Sequence, residues 1–113
     1  VYARGLDKKV LIVATGEFGH TPKLEYHRGR PGRDHWPHAF SLLVSGGGLQ
    51  MGQVIGSTDS RAAHPRDRTL APEDLWATVY RHLGIDPAKT LRDTVGRPMP
   101  ILPGGQPIKE LVG

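Results

Sequence analysis

Apolar positions along the chain fall into a few short runs separated by long polar stretches. The first run, Val10-Leu11-Ile12-Val13-Ala14, is continuous and largely β-branched, and Thr15-Gly16 closes it. An unbroken apolar run suits a strand buried on both faces, so it reads as a central parallel strand. Phe40-Ser41-Leu42-Leu43-Val44-Ser45 is a second run, ended by a Gly46-Gly47-Gly48 turn, and is expected to neighbour the first. Gln53-Val54-Ile55-Gly56 is a short third candidate, and Ser57-Thr58-Asp59-Ser60 after it has turn chemistry.

Glu17 to Pro37 shows no sustained period and is rich in Gly, Pro, Arg and His. It reads as a long loop leaving the C-terminal end of the first strand, the end at which open α/β sheets bind ligands. One helix is clear: Pro72 opens it, Glu73 and Asp74 occupy its first turn, and Gly84 follows Leu83. Leu75, Trp76, Val79, Tyr80 and Leu83 recur at helical spacing and are expected to form one buried stripe. Ala71 is a poor N-cap, so Thr69 or a one-residue shift is expected to satisfy the first amides. The tail from Arg97 carries four prolines and is expected to wrap the surface as far as Ile108 to Val112.

Composition narrows this picture. With 113 residues the chain has room for one small core. The apolar fraction is only 37%, beside 15 glycines and 10 prolines, so that core is thin and structured loops dominate. The absence of cysteine excludes disulfides and thiolate metal sites. No apolar run approaches the roughly 20 residues of a transmembrane helix, and no membrane partner is expected. The opening in mid-pattern at Val1 reads as a single partial domain over residues 1–113, the remainder of which is an expected partner.

Net charge is +4 with six histidines uncounted, and the basic residues cluster in two loops. Lys23, Arg28, Arg30 and Arg33 lie between His20 and His38, and Arg61, Arg66 and Arg68 follow Asp59. Such loops attract anions. Nucleic acid is disfavoured, since Trp36 and Phe40 do not interleave with a basic stripe and no nucleic-acid motif is present.

Two stretches carry candidate chemistry. Gly16-Glu17-Phe18-Gly19-His20 places a carboxylate and an imidazole just beyond the first strand, where a sheet fixes the backbone and side chains emerge. Gly32-Arg33-Asp34-His35-Trp36-Pro37-His38 sets a carboxylate beside one imidazole and a second imidazole three residues on. Carboxylate and imidazole together suit a divalent ion such as zinc, and Asp34 serves equally well as an orienting partner of His35. Glu17, Asp34 and His35 are therefore the candidate metal ligands. His20, Arg33, His38, Asp59 and His64 are candidate substrate-binding groups, because a phosphate-like anion is natural company for them. The bland alternative is a Glu17–arginine pair with His35 in solvent or against Trp36. His82 reads as a capping residue near the helix C-terminus, and His27 has no supporting neighbour. Gly46-Gly47-Gly48 lacks a following Lys-Ser/Thr and a helix start, so it reads as a turn rather than a phosphate loop.

Thr15-Gly-Glu-Phe-Gly-His-Thr-Pro22, Gly32-Arg-Asp-His-Trp-Pro37, Gly52-Gln-Val-Ile-Gly-Ser-Thr-Asp59 and Pro72-Glu-Asp-Leu-Trp-Ala-Thr-Val-Tyr-Arg-His-Leu-Gly-Ile-Asp86, in this order, resemble the C-terminal part of the domain-of-unknown-function 1501 (DUF1501) family. The resemblance implies a bacterial protein of the alkaline phosphatase and sulfatase superfamily, often exported by a twin-arginine signal. It implies an α/β fold, the C-terminal portion of a doubly wound, mostly parallel sheet with flanking helices. In those relatives a strand commonly ends in a metal-binding Asp-His pair. Here Glu17 stands in for the carboxylate, and Phe18 cannot stand in for the imidazole. The superfamily's nucleophile comes from N-terminal strands, so none is assigned in this chain.

The expected function is that of part of a metal-dependent hydrolase-like protein acting on phosphate or sulfate esters, with a sulfated or phosphorylated small molecule or glycan as partner. The alternative is a catalytically silent, secreted domain that binds anionic polysaccharide or a structural partner.

Overall fold

A computed structural model describes all residues, Val1–Gly113. After a single 3-10 turn at Tyr2–Arg4, the strands are β1 (Leu11–Ala14), β2 (Gly19–His20), β3 (Glu25–His27), β4 (Arg30–Gly32), β5 (His35–Trp36), β6 (Leu43–Gly46), β7 (Ser57–Thr58) and β8 (Pro65–Asp67). Helix α1 (Pro72–His82), strands β9 (Thr90–Arg92) and β10 (Pro98–Pro100), and helix α2 (Lys109–Val112) complete the chain.

The strands form five two-stranded ladders, β1–β6, β2–β5, β3–β4, β7–β8 and β9–β10. The last four are antiparallel. The doubly wound, mostly parallel sheet with flanking helices implied by the family resemblance is therefore not the observed architecture. A parallel pair needs a crossover of a dozen or more residues, usually helical, to bring the chain back in the same direction. Here short turns join β3 to β4 and β9 to β10, and the only helix longer than one turn follows β8. The run at β1 does pair with the run at β6, as their apolar character leads one to expect. Its residues nevertheless alternate between half-buried and exposed, because one partner strand cannot cover both faces.

The chain divides into two compact units. The first comprises Val1–Leu11, Ser45–Gln53 and Leu70–Gly113. It holds every side chain of the apolar core, namely Leu75 and Ala77 of α1 with Ile108 and Leu111 near the C-terminus. Thr78 is the one buried polar side chain; its hydroxyl donates to the Asp74 carbonyl (2.8 Å) and accepts the Ile108 amide (2.9 Å). The helix runs as the sequence leads one to expect, with Leu83 at its C-cap and Gly84 in the left-handed region at φ 71°. Its first amides are served by neither Thr69 nor a shift. Asp74, three residues in, reaches back to the Ala71 amide (2.8 Å) and also accepts the Gln106 amide (2.9 Å). The buried face differs from the expected stripe: Trp76 and Leu83 are 52% and 60% exposed, while Ala77 and Thr78 are at 1%. Small side chains let the C-terminal segment approach the helix closely, while Leu75 stays in the core, Val79 and Tyr80 are half-buried, and Trp76 and Leu83 face outward.

The second unit comprises Ile12–Val44 and Val54–Thr69, and none of its residues is fully buried. Local hydrogen bonding holds it. Glu17 to Pro37 is not one long loop, since it contains β2, β3, β4 and β5. The turn between β3 and β4 is the two-residue Arg28-Gly29, with φ 51° and 74°. Positive φ at both central residues matches the right-handed twist of a hairpin, which is why this short connection works. Gln53-Val54-Ile55-Gly56 forms no strand; the ladder residues are the next two, Ser57 and Thr58, paired with β8.

Candidate functional site

All eight candidate site residues belong to the second unit. The β2–β5 ladder organises them. Gly19 lies opposite Trp36 and His20 opposite His35. Directly opposed residues share a face and successive residues alternate, so the ladder has two chemically different sides.

One side carries His20, His35 and Phe18. The imidazole centres of His20 and His35 are 6.0 Å apart at an interplanar angle of 76°, and the Phe18 ring lies 4.1 Å from that of His35. The other side carries Trp36, whose ring centre is 4.7 Å from that of His38 and 5.7 Å from that of His64; His38 and His64 are 5.3 Å apart. Gly19 permits this arrangement. A Cβ there would strike the Ala39 carbonyl oxygen and crowd the Trp36 backbone.

The 59–64 loop presents His64 to Trp36. The Asp59 carboxylate accepts the amides of Arg61 (3.1 Å) and Ala63 (2.9 Å), and the Asp59 amide donates to the His64 carbonyl (2.9 Å). This closes a turn tight enough to hold Ala62 at φ 55°, a conformation that a residue with a Cβ seldom adopts. The Trp36 indole N–H then donates to the Ala63 carbonyl (2.6 Å), fixing loop to ladder. The Ala63 amide, first among several donors, holds the Asp59 carboxyl below the ordinary carboxylate range, and the nearby His64 (3.7 Å) adds to this.

Asp34 is separated from the imidazole next to it in sequence. Its carboxylate lies 3.0 Å from His27 Nε2, its carbonyl accepts the Thr21 amide, and its own amide donates to the Thr21 hydroxyl. Glu17 is exposed. The structure thus joins His35 to His20 and Phe18 rather than to Asp34, and it contains no group of three or more His, Cys, Asp or Glu side chains arranged to hold a metal. Arg33 and Arg61 are exposed. The sequence reading missed His27, whose partner is seven residues away across a hairpin; the Arg28-Gly29 turn was the available signal.

Fold and site together define a small, loop-rich, histidine-bearing protein segment of two units, with one helix packed on a thin core. No curated protein and no solved structure matches it. The family model described as "Protein of unknown function (DUF1501)" matches residues 2–112, and the chain belongs to that family.

Proposed function

We propose that the histidine-bearing unit handles phosphate or sulfate esters with the help of a divalent ion, His20 and His35 supplying two of its ligands. The ester class comes from the motif resemblance to alkaline phosphatases and sulfatases, and the surrounding arginines suit it. The carrying observation is the directly opposed imidazole pair, with ring centres 6.0 Å apart. Two imidazoles bound to one tetrahedral ion at about 2.0–2.1 Å have ring centres roughly 5 Å apart, so a small side-chain rotation brings this pair to a shared ion. Imidazole ligands favour zinc or a similar transition ion.

The expected trio of Glu17, Asp34 and His35 fits less well, because the Asp34 carboxylate is already bonded to His27. In this reading Asp34 orients His27, and Glu17, exposed and three residues before His20, is the carboxylate left to approach the pair. When bound, the ion would polarise the ester and activate its attacker. The chain's own contribution is to hold the two imidazoles on one side of a hydrogen-bonded ladder and to offer arginines to the ester's charge. Zinc titration of the wild-type chain, followed by the imidazole proton resonances, tests this. His20→Ala and His35→Ala should each weaken binding at least about tenfold, whereas Asp34→Asn should leave it within about twofold. Equal zinc affinity in the double variant would end the reading.

A second reading, anion binding without catalysis, is favoured by the Phe18 ring packed 4.1 Å from His35. It expects anionic polysaccharide to bind equally well with and without a chelator.

A further inference from the structure

A histidine that holds a metal ion is ordinarily oriented by a hydrogen bond from its other ring nitrogen to a carboxylate, a backbone carbonyl or water. Two imidazoles of this unit have a carboxylate beside them, His27 with Asp34 and His64 with Asp59. His35 has none. Its side chain makes no hydrogen bond or ion pair within the chain, and its recorded contacts are with two rings, those of Phe18 and His20. Asp34, the carboxylate that the sequence sets beside it, is bonded to His27 instead.

Packing takes the place of the missing hydrogen bond. The Phe18 and His35 ring centres are 4.1 Å apart and their planes 40° from parallel, so Phe18 meets the face of the imidazole rather than its edge. A metal ion binds in the plane of an imidazole, at a nitrogen lone pair. A facial contact therefore leaves both His35 nitrogens open while it restricts rotation of the ring. His20 stands nearly perpendicular to both rings, at 76° to His35 and 70° to Phe18.

Phe18 is also the anchored member of the three. It is half-buried where His20 and His35 are exposed, and the next residue, Gly19, enters the ladder opposite Trp36. An exposed side chain free to change rotamer loses that freedom when it binds. A ring already held against a half-buried neighbour has less to lose, which is the gain from preorganisation.

We propose that Phe18 is a positioning residue for His35, standing where a hydrogen-bonded partner ordinarily stands and holding the imidazole ready for the ion. The inference rests on the reading of His20 and His35 as ligands, and it assigns a task to a residue that cannot itself be one.

Two substitutions in the whole chain separate the ring from its bulk. Phe18→Leu keeps an apolar side chain and removes the ring, whereas Phe18→Tyr keeps the ring. Without metal, the ring-carbon protons of His35 should lie upfield in the wild-type chain and in Phe18→Tyr, and move downfield in Phe18→Leu. Zinc affinity should fall about three- to tenfold in Phe18→Leu and return to within about twofold of wild type in Phe18→Tyr. The Trp36 indole N–H resonance, which reports the bond to Ala63 on the other side of the ladder, should stay in place throughout. Zinc affinity unchanged or raised in Phe18→Leu, with His20→Ala and His35→Ala still losing it, would overturn the proposal and leave the ligand reading intact, Phe18 then being a cover over His35. A His35 resonance that is the same in all three chains, or a Trp36 resonance that moves together with the zinc loss, would overturn it as well. Zinc affinity unaffected by either histidine variant would end the ligand reading and the role of Phe18 with it.

Discussion

His27 Nε2 and Asp34 Oδ1 lie 3.0 Å apart, joining the end of β3 to the residue that precedes β5. Both side chains are more than half exposed, so the pair contributes little to stability. Its effect is on availability: a carboxylate engaged by His27 is withdrawn from any ion near His35. We expect His27→Ala to change stability by at most about 1 kcal/mol in urea denaturation. It should also release Asp34, seen as a shift in the Asp34 side-chain carbon resonance. An unmoved resonance would mean that the pair does not form in solution.

The position of Leu83 gives a second prediction. Its spacing with Leu75 and Val79 suggests core, yet it is 60% exposed while Leu75 is 9% exposed. Leu75→Ala should therefore cost about 2–5 kcal/mol. Leu83→Ala should stay within about 0.5 kcal/mol. Comparable losses at the two positions would show that Leu83 is covered in solution.

These two residues also show what is legible in the sequence. Helix α1 is readable because Pro72, the acidic first turn and Gly84 are local signals. Its buried face is not, because Ala77 and Thr78 are chosen by the close approach of Ile108, thirty residues away. The β1 and β6 runs are visible as strands and as partners, whereas the central parallel strand read from the unbroken run is not found, since β1 has β6 as its one partner and is half-buried on alternate residues. Between them, β2, β3, β4 and β5 are only two or three residues long, too short for periodicity to register. For the site, the residue types are legible and the partnerships are not. Asp34 and His35 are adjacent in sequence, but Asp34, just before β5, bonds Thr21 and His27, while His35 lies in the ladder opposite His20.

Thr78 should be sensitive out of proportion to its size. Its hydroxyl bridges the Asp74 carbonyl and the Ile108 amide in the most buried part of the first unit. Thr78→Val keeps the shape and leaves the Ile108 amide unsatisfied, at about 1–3 kcal/mol. Thr78→Ser keeps the hydroxyl and should cost less. The order of their melting temperatures, Ser above Val, is the check; the reverse order would show that the bridge contributes less than the lost methyl.

Acid should weaken the chain through three aspartates. The Asp59, Asp67 and Asp93 carboxyls are held below their ordinary range, chiefly by the Ala63 amide, the Ser57 hydroxyl and the Arg97 amide respectively. A carboxyl with a lowered folded-state value stabilises the fold above its unfolded value, about 3.9, and loses that contribution as pH falls through the folded value. Melting temperature should thus fall on acidification below about pH 4, and Asp59→Asn should flatten part of that fall. An unchanged acid profile in the Asn variant would show that the Ala63 amide does not hold the carboxylate in solution.

Gly19 is where backbone geometry and the candidate site meet. It faces Trp36 across the β2–β5 ladder, beside the His20–His35 pair, and a Cβ there would strike the Ala39 carbonyl. A backbone carbonyl cannot rotate away as a flexible side chain can, so Gly19→Ala must push β2 from β5. Overpacking of this kind costs about 1–3 kcal/mol. Gly29→Ala is the control. Its φ of 74° penalises a side chain by about 1–2 kcal/mol, but nothing lies within 4 Å of the added Cβ, so the strain stays in the β3–β4 turn. The two variants should therefore destabilise the chain by similar amounts and differ at the histidines. Gly19→Ala should abolish the cross-strand nuclear Overhauser effects between His20 and His35 and weaken zinc binding about as much as His35→Ala does. Gly29→Ala should preserve both. Zinc affinity unchanged in Gly19→Ala, even though β2 no longer lies against β5, would show that the paired imidazoles are not what binds the ion.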